Sequence, residues 1–458
     1  MNSIKHIAKK ILGASVCLFM GGMMSASPGY ATKPTAPQTV HLRAELASPV
    51  IEAGRTQTTF LKVALTGFKL EDSSERTPAN IAIVLDKSGS MGGEKLRSAK
   101  EAARMAVNLL NENDIISIIS YDSTVNVLVP ATKVSDKRAI NRAIDRMKSS
   151  GKTALFAGVS KGAAEVRKFL NKDRVNRIIL LSDGQANVGP SSPSELGDLG
   201  ASLSKDGITV TTIGLGTGYN EDLMANLAGY SDGNHAFVKD AEDLAKIFKY
   251  EFGDVLSVVA QDVEIIIRLN NGIRPIRILG RDGTILGQTV RTNMSQLYSE
   301  QEKFVLIEVE VPAGKARQEV SLADVSVNYQ NMQSRRQDKL AENMKVAYSA
   351  SKEEVKRALN APVVSAATKQ VVNEDSKRAL RLRDAGKLEE AQSVLNTSSA
   401  YSRSQGALLG GAAEQELNSF SDEIDKDARN IVKKKEWNKN RKELKAKQFR
   451  SDKQQSYK

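Results

Sequence analysis

One cysteine and three histidines stand among 458 residues, and this scarcity excludes more chemistry than any single motif. Cys17 lies in an uncharged apolar stretch, Ile11 to Met24. A basic segment with Lys5, Lys9 and Lys10 precedes it, and small residues ending at Gly29-Tyr30-Ala31 follow. That order is the layout of a secretory signal peptide over residues 1–31, with cleavage expected after Ala31; an uncleaved N-terminal anchor is the alternative. The stretch is short for a membrane span, which needs about 20 residues, and no later segment reads as one. Ala14-Ser15-Val16 is a poor lipoprotein signal ahead of Cys17. The mature chain then has no cysteine, hence neither a disulfide nor a thiolate metal site, and an exported protein of this length relies on its core instead. Its histidines are His41 and His235. With no histidine or cysteine cluster a zinc enzyme is not expected, and both histidines are expected at the surface or on edge strands.

Acidic charge is scarce at one end. Without Lys5, Lys9 and Lys10 the formal net charge falls from +12 to +9. Residues 433–458 hold eleven Lys or Arg against Glu436, Glu443 and Asp452, a net of +8, so the rest of the mature chain is close to neutral. The Lys433–Lys447 cluster can meet an anionic envelope surface through contacts that salt weakens, or it is simply a solvated charged helix. Aromatic interleaving is thin there, with Trp437, Phe449 and Tyr457, and export makes nucleic acid the least fitting anion.

The length allows two or three domains. Residues 38–70 hold two strand-like segments, Val40–Leu46 with strict alternation and Thr59–Leu65 after a turn at Gly54. Glu71–Thr77 is polar and makes a boundary. Residues 78–255 alternate strand and helix. Strands are expected at 81–85, 114–121, 124–129 (ended by Pro130), 176–182, 208–213 and near 235–238. Helices are expected after Glu94 and at about 136–148, 154–170, 194–205, 220–229 and 240–254. Such alternation implies a doubly wound α/β sheet. Residues 257–335 change to strands, at 263–269, 273–279, 304–311 and 320–329, enough with the early pair for a β-sandwich. The expected arrangement pairs 38–70 with this later β domain and inserts the α/β domain between them; a separate C-terminal sandwich is the alternative. From Gln337 the pattern is helical, with a hairpin over 337–400. Ser402–Ala413 reads as a linker, and 414–458 as a basic helical tail that ends disordered.

The most informative stretch is Ile81-Ala82-Ile83-Val84-Leu85-Asp86-Lys87-Ser88-Gly89-Ser90-Met91. An apolar run ends abruptly in one carboxylate, two hydroxyls and a glycine. Ligands of open α/β sheets gather where parallel strands end, and side chains offering only oxygen suit hard cations such as Mg²⁺. Two further segments match in kind: Ser149-Ser150-Gly151-Lys152-Thr153 and Ile178-Ile179-Leu180-Leu181-Ser182-Asp183-Gly184. The three together resemble the metal-ion-dependent adhesion site of von Willebrand factor type A domains, and the resemblance covers roughly residues 78–255. It implies a mostly parallel sheet with one antiparallel edge strand. It also implies a metal held by Asp86, Ser88, Ser90, Thr153 and Asp183: Mg²⁺, or Mn²⁺ or Ca²⁺. Ser88 and Ser90 would bind directly, Thr153 directly or through water, and Asp86 and Asp183 would hold coordinated waters or the metal itself. An acidic side chain of a protein partner would complete the shell. The plainer reading is that Asp86 and the serines cap the helix that begins near Glu94. Asp122 reads as a turn residue.

Two other motifs weaken on inspection. Gly214-Leu215-Gly216-Thr217-Gly218 is like a dinucleotide loop, but Tyr219 occupies the place of the third glycine. Ser88-Gly89-Ser90-Met91-Gly92 is like a nucleophile elbow with Ser88 replacing its first glycine, and it needs a histidine base that only His235 can supply. The expected protein is therefore an exported, non-enzymatic binder in the periplasm or at the cell surface. An envelope assembly factor working mainly through its C-terminal helices is the second reading.

Overall fold

The computed structural model describes residues 39–70, 76–270 and 272–454. The expected signal segment and residues 455–458 of the expected disordered end lie outside these. Strands β1 (His41–Leu46), β2 (Val50–Glu52) and β3 (Gln57–Thr66) come first. The α/β domain follows as β4 (Ala79–Asp86), α1 (Glu94–Leu109), β5 (Ile115–Tyr121), β6 (Val125–Lys133), α2 (Lys137–Asp145), α3 (Leu155–Arg167), β7 (Val175–Ser182), α4 (Pro193–Lys205), β8 (Thr209–Leu215), α5 (Glu221–Tyr230), β9 (His235–Val238) and α6 (Leu244–Leu256).

Its sheet runs β6-β5-β4-β7-β8-β9, with β6 antiparallel and the others parallel. Every residue of β4, β5, β7 and β8 is buried, which is why these strands read as continuous apolar runs. Successive side chains point to opposite faces. Ile81, Ile83 and Leu85 meet α1, α2 and α6, while Ala82 and Val84 meet α3 and its neighbours α4 and α5. One expectation fails at Pro130: β6 continues through it to Lys133. As an edge strand β6 tolerates a missing N–H, and Glu165 of α3 accepts the next N–H, that of Ala131, at 3.0 Å.

After the α/β domain come β10 (Val258–Leu269), β11 (Arg274–Leu279), β12 (Gly283–Leu286), β13 (Thr289–Tyr298), β14 (Glu302–Val311), β15 (Glu319–Asn331) and β16 (Arg336–Ser349). Two sheets form, ordered β1-β3-β14-β11 and β12-β13-β10-β15-β16-β2. β3 pairs with β14 over its whole length, from Gln57 opposite Val311 to Thr66 opposite Glu302. Leu61, Val63, Val305 and Ile307 of one sheet and Ile265, Ile267, Val325 and Val327 of the other share a core. The β region does not stop at 335, and Gln337 does not begin a helix. β16 is charged and exposed at its start, so its alternation emerges only at Met344, Val346 and Tyr348, which turn inward.

The chain closes with α7 (Lys352–Arg357), α8 (Ala361–Asp384), α9 (Leu388–Leu409), α10 (Gly411–Ile431) and α11 (Trp437–Lys453). The expected linker over 402–413 is mostly helix, and the hairpin has a third long helix beside it. Its small residues serve packing: a Cβ on Gly406 would lie 3.4 Å from the backbone of Glu414, and Ser402 Oγ donates to the Leu417 carbonyl at 3.1 Å. Nor is the basic segment a free tail. In α11, Arg441 bonds Glu221 at 2.5 Å, Asp222 at 2.7 Å and Asp384 at 2.7 Å, Lys442 bonds Glu221 at 2.6 Å, and Lys453 bonds Asp232 at 2.6 Å. These cations are satisfied inside the protein, so the anionic-surface reading rests mainly on the exposed Lys433, Lys434 and Lys435. No described helix is long and apolar enough to cross a membrane.

His235 is on an edge strand but not at the surface. Its ring is fully buried, with Nδ1 2.8 Å from Thr212 Oγ1 and Phe449 of α11 edge-on at 5.7 Å. Burial, aided by Lys445 and Arg450, pushes its pKa down to about 3. An unfolded histidine titrates near 6.5, so between these values the unfolded chain binds the extra proton and stability falls as pH falls. Urea unfolding at pH 7.5 and pH 5.0 should show about 2 kcal/mol of loss due to this group. His235→Gln should be less pH-sensitive by that amount; an identical pH dependence would refute the assignment.

Candidate functional site

Parallel pairing of β4 with β7 sets Leu85 opposite Leu181, so Asp86 ends its strand level with Ser182 and Asp183 follows one residue beyond on the neighbouring strand end. Asp86 is fully buried. One of its oxygens accepts the Ser88 N–H at 2.8 Å and the other accepts Ser182 Oγ at 2.7 Å. Beyond it a single 3-10 turn, Gly89–Met91, lifts Ser90 to the surface before α1 begins. Ser88 Oγ and Ser90 Oγ are 3.2 Å apart, and Ser90 Oγ donates to Asp183 Oδ1 at 2.7 Å.

Thr153 arrives from the loop between α2 and α3. Two hydrogen bonds sew that loop to the first: Gly89 N–H to the Gly151 carbonyl at 3.1 Å and Ser150 N–H to the Lys87 carbonyl at 2.8 Å. Asn187 fixes it to the third loop, accepting the Thr153 N–H at 2.8 Å and donating its own N–H to the Thr153 carbonyl at 3.1 Å. Asp122 braces the same junction. It pairs with Lys87 and accepts Ser150 Oγ at 2.7 Å and Thr124 N–H at 2.8 Å. Burial alone would raise its pKa, but these donors outweigh it and hold the carboxyl well below the usual range.

Gly184 shows how tightly the set converges. A Cβ there would lie 3.2 Å from Thr153 Oγ1, 3.5 Å from Ser90 Oγ and 3.9 Å from Asp86 Oδ2. Any other residue would push a side chain among these oxygens. The structure thus brings Asp86, Ser88, Ser90, Thr153 and Asp183 together, and the simple helix cap is excluded: neither the short turn nor α1 has a side-chain cap bond.

Burial raises the pKa of Asp86 foremost, against hydrogen bonds from Ser88 and Ser182, and nearby Asp183 raises it further. Two carboxylates drawn out of water beside three hydroxyls form an electron-rich, all-oxygen cradle. Such a donor set fits a hard dication better than a soft one. No group of three or more His, Cys, Asp or Glu suited to a metal occurs among the described residues; beyond its two carboxylates this cluster offers the hydroxyls of Ser88, Ser90 and Thr153. Lys95, from the first turn of α1, pairs with Asp183 Oδ2. Sequence reading missed Lys95, Ser182 and Asn187. Ser182 was legible beside Asp183, whereas a helix-surface lysine carries no signal of its target.

The competing motifs acquire structural roles. A Cβ on Gly214 would meet the Tyr219 ring at 2.3 Å, and one on Gly218 would meet the Asp183 carbonyl at 2.8 Å. These glycines let the loop after β8 pack behind the site. Ser90 Oγ, at the nucleophile position of the elbow, donates to Asp183 Oδ1, while His235 faces Thr212 and Phe449, so the elbow is not paired with a histidine base.

The α/β domain is a doubly wound sheet with one antiparallel edge and a hydroxyl–carboxylate cradle at its strand ends. Residues 80–250 match the family model of the von Willebrand factor type A domain. Such domains commonly mediate protein–protein contacts and bind a divalent metal at their adhesion site. Among curated relatives, YfbK of Escherichia coli (strain K12) is 32% identical over 216 residues, covering 47% of this chain and 37% of that protein. Protein sll0103 of Synechocystis sp. is 31% identical over 209 residues, covering 46% and 49%. The match thus spans less than half the length of either relative. Among solved structures, a von Willebrand factor type A protein from Catenulispora acidiphila superposes with a TM-score of 0.65 at 16% identity, covering 86% of this chain and 89% of that one. The ArnB paralog VWA2 from Sulfolobus acidocaldarius gives 0.58 at 17% identity, covering 90% and 98%. Both likenesses reach beyond the α/β domain and concern the fold alone.

Proposed function

We propose that this protein is an exported binder that captures an acidic side chain of a protein partner through a divalent cation, Mg²⁺ or its substitutes Mn²⁺ and Ca²⁺. The observation that carries the reading is the convergence of Asp86, Ser90 and Thr153 oxygens around Gly184, with Ser88 and Asp183 bonded into the same cluster. Asp86 and Asp183 bring the negative charge. Ser88, Ser90 and Thr153 bring neutral oxygens, which leave a dication short of strong ligands. Bound there, the cation supplies an electrophilic point that a carboxylate can satisfy. Exposed Ser90 marks the open side, while Asp86, Ser88, Thr153 and Asp183 are buried behind it. Export is supported by the signal-like order of residues 1–31.

Envelope extract passed over the immobilised protein tests the reading. Partners should be retained in Mg²⁺, elute with chelator and rebind when Mg²⁺ returns. Retention indifferent to chelator would move the function to the helices α8–α11.

A further inference from the structure

Resting on the metal reading above, we infer that Lys95 is a built-in rival of the divalent cation for Asp183 and lowers the affinity with which that cation is held. Both oxygens of Asp183 are engaged, Oδ1 by Ser90 Oγ at 2.7 Å and Oδ2 by the Lys95 ammonium. The two partners of this ion pair differ in freedom: the Asp183 side chain is 0% exposed and that of Lys95 is 37% exposed. The ammonium can therefore withdraw into water, whereas the carboxylate stays.

Room for the lysine comes from the loop after β8. Gly216, at φ +71, leaves Lys95 Cε and Nζ 3.9 Å from where its Cβ would stand. The positive φ there disfavours an L side chain, and a Cβ would stand in ordinary contact with the end of the lysine. Lys87 on the same rim is the instructive contrast. It is 12% exposed and spans Asp122 and Ser150, which brace the loops without belonging to the five-residue set. One rim lysine is thus built into the scaffold. The other, half exposed, reaches a carboxylate of the ligand set and has no further ion pair among the described residues.

A single positive charge on Asp183 opposes a second cation arriving at the same group. Its removal leaves both carboxylates to the dication, a gain of roughly tenfold, the scale of one partly screened unit charge close by. Calorimetric titration of the full chain with Mn²⁺ should show Lys95→Met binding about tenfold tighter than wild type and Lys95→Arg binding close to wild type. The advantage of Lys95→Met should shrink in high salt, which screens exposed charge. In thermal melts Mn²⁺ should raise the midpoint of Lys95→Met more than that of wild type.

A merely structural lysine would give the opposite sign. Binding by Lys95→Met that is equal to or weaker than wild type, with wild type binding normally, would overturn the inference and leave the metal reading standing. No heat from either protein would remove both.

Discussion

The double variant Asp86→Ala, Ser88→Ala should lose at least a hundredfold in Mn²⁺ affinity and, with it, all cation-dependent capture of partners. Asp86 is one of only two carboxylates in the cradle, and it is fully buried. Two unit charges about 4 Å apart interact by about 4 kcal/mol at an effective dielectric of about 20, and a dication doubles the charge on one side. Two decades is therefore a conservative expectation after solvent and relaxation take their share. The fold should survive, because the substitutions remove a buried carboxylate that burial already disfavours. They leave only the Ser182 hydroxyl and one loop N–H to find other partners. Calorimetry with Mn²⁺, alongside far-UV circular dichroism as a fold control, reads the result. Undiminished binding by a folded double variant would end the adhesion-site reading. Lost metal binding with unimpaired partner capture would shift the function to the helical bundle.

Arg177→Ala should cost about 3–5 kcal/mol of stability, the range for breaking a buried polar network from one side. Arg177 lies near the opposite end of β7 from Asp183 and is fully buried. Its guanidinium bonds Thr209 Oγ1 at 3.0 Å within the α/β domain. It also reaches across to β13, bonding Tyr298 Oη at 2.8 Å and Gln296. Glu251 and Asp254 of α6 supply the countercharge. Alanine would strand these groups and open a cavity where the α/β domain meets the sandwich. Urea denaturation checks the stability, and a loss below about 1 kcal/mol would contradict the role assigned. Metal affinity should not change, since six residues of extended strand separate Arg177 from Asp183 by roughly 20 Å.

The α/β domain was legible because its physics is local. Strands buried on both faces must be apolar throughout, and the carboxylates that end two of them, Asp86 and Asp183, stand out against Ile81–Leu85 and Ile178–Leu181. That contrast marks Asp86, Ser88, Ser90 and Asp183 as polar groups at strand ends, but their assignment as one ligand set rested on the resemblance to a known family. Thr153, on a loop between helices, needed the resemblance to a known family. The sandwich was half legible. β10 and β14 are rich in apolar residues, whereas β13 alternates Val290, Thr292 and Met294 inward with Arg291 and Asn293 outward, too polar a text to stand out. β16 hid for the same reason.

The basic helix was misread for a different cause. Arg441 and Lys442 look solvated in sequence because their partner Glu221 lies about 220 positions away. Charge patterning within a window sees no farther than neighbouring turns. Lys95 escaped in the same way, its target Asp183 lying 88 residues on.

The seam between β3 and β14 has a temporal side. Lys62 and Glu302 form an ion pair across it although 240 residues separate them. At translation speeds of about 5–20 residues per second, β3 emerges roughly 10–50 s before its neighbour exists. The α/β domain can close on itself in that interval. The apolar side of β3, with Leu61, Val63 and Leu65, has only β1 and β2 beside it until β10, β14 and β15 complete its core. The first-made strands of this protein are thus among the last to find their place.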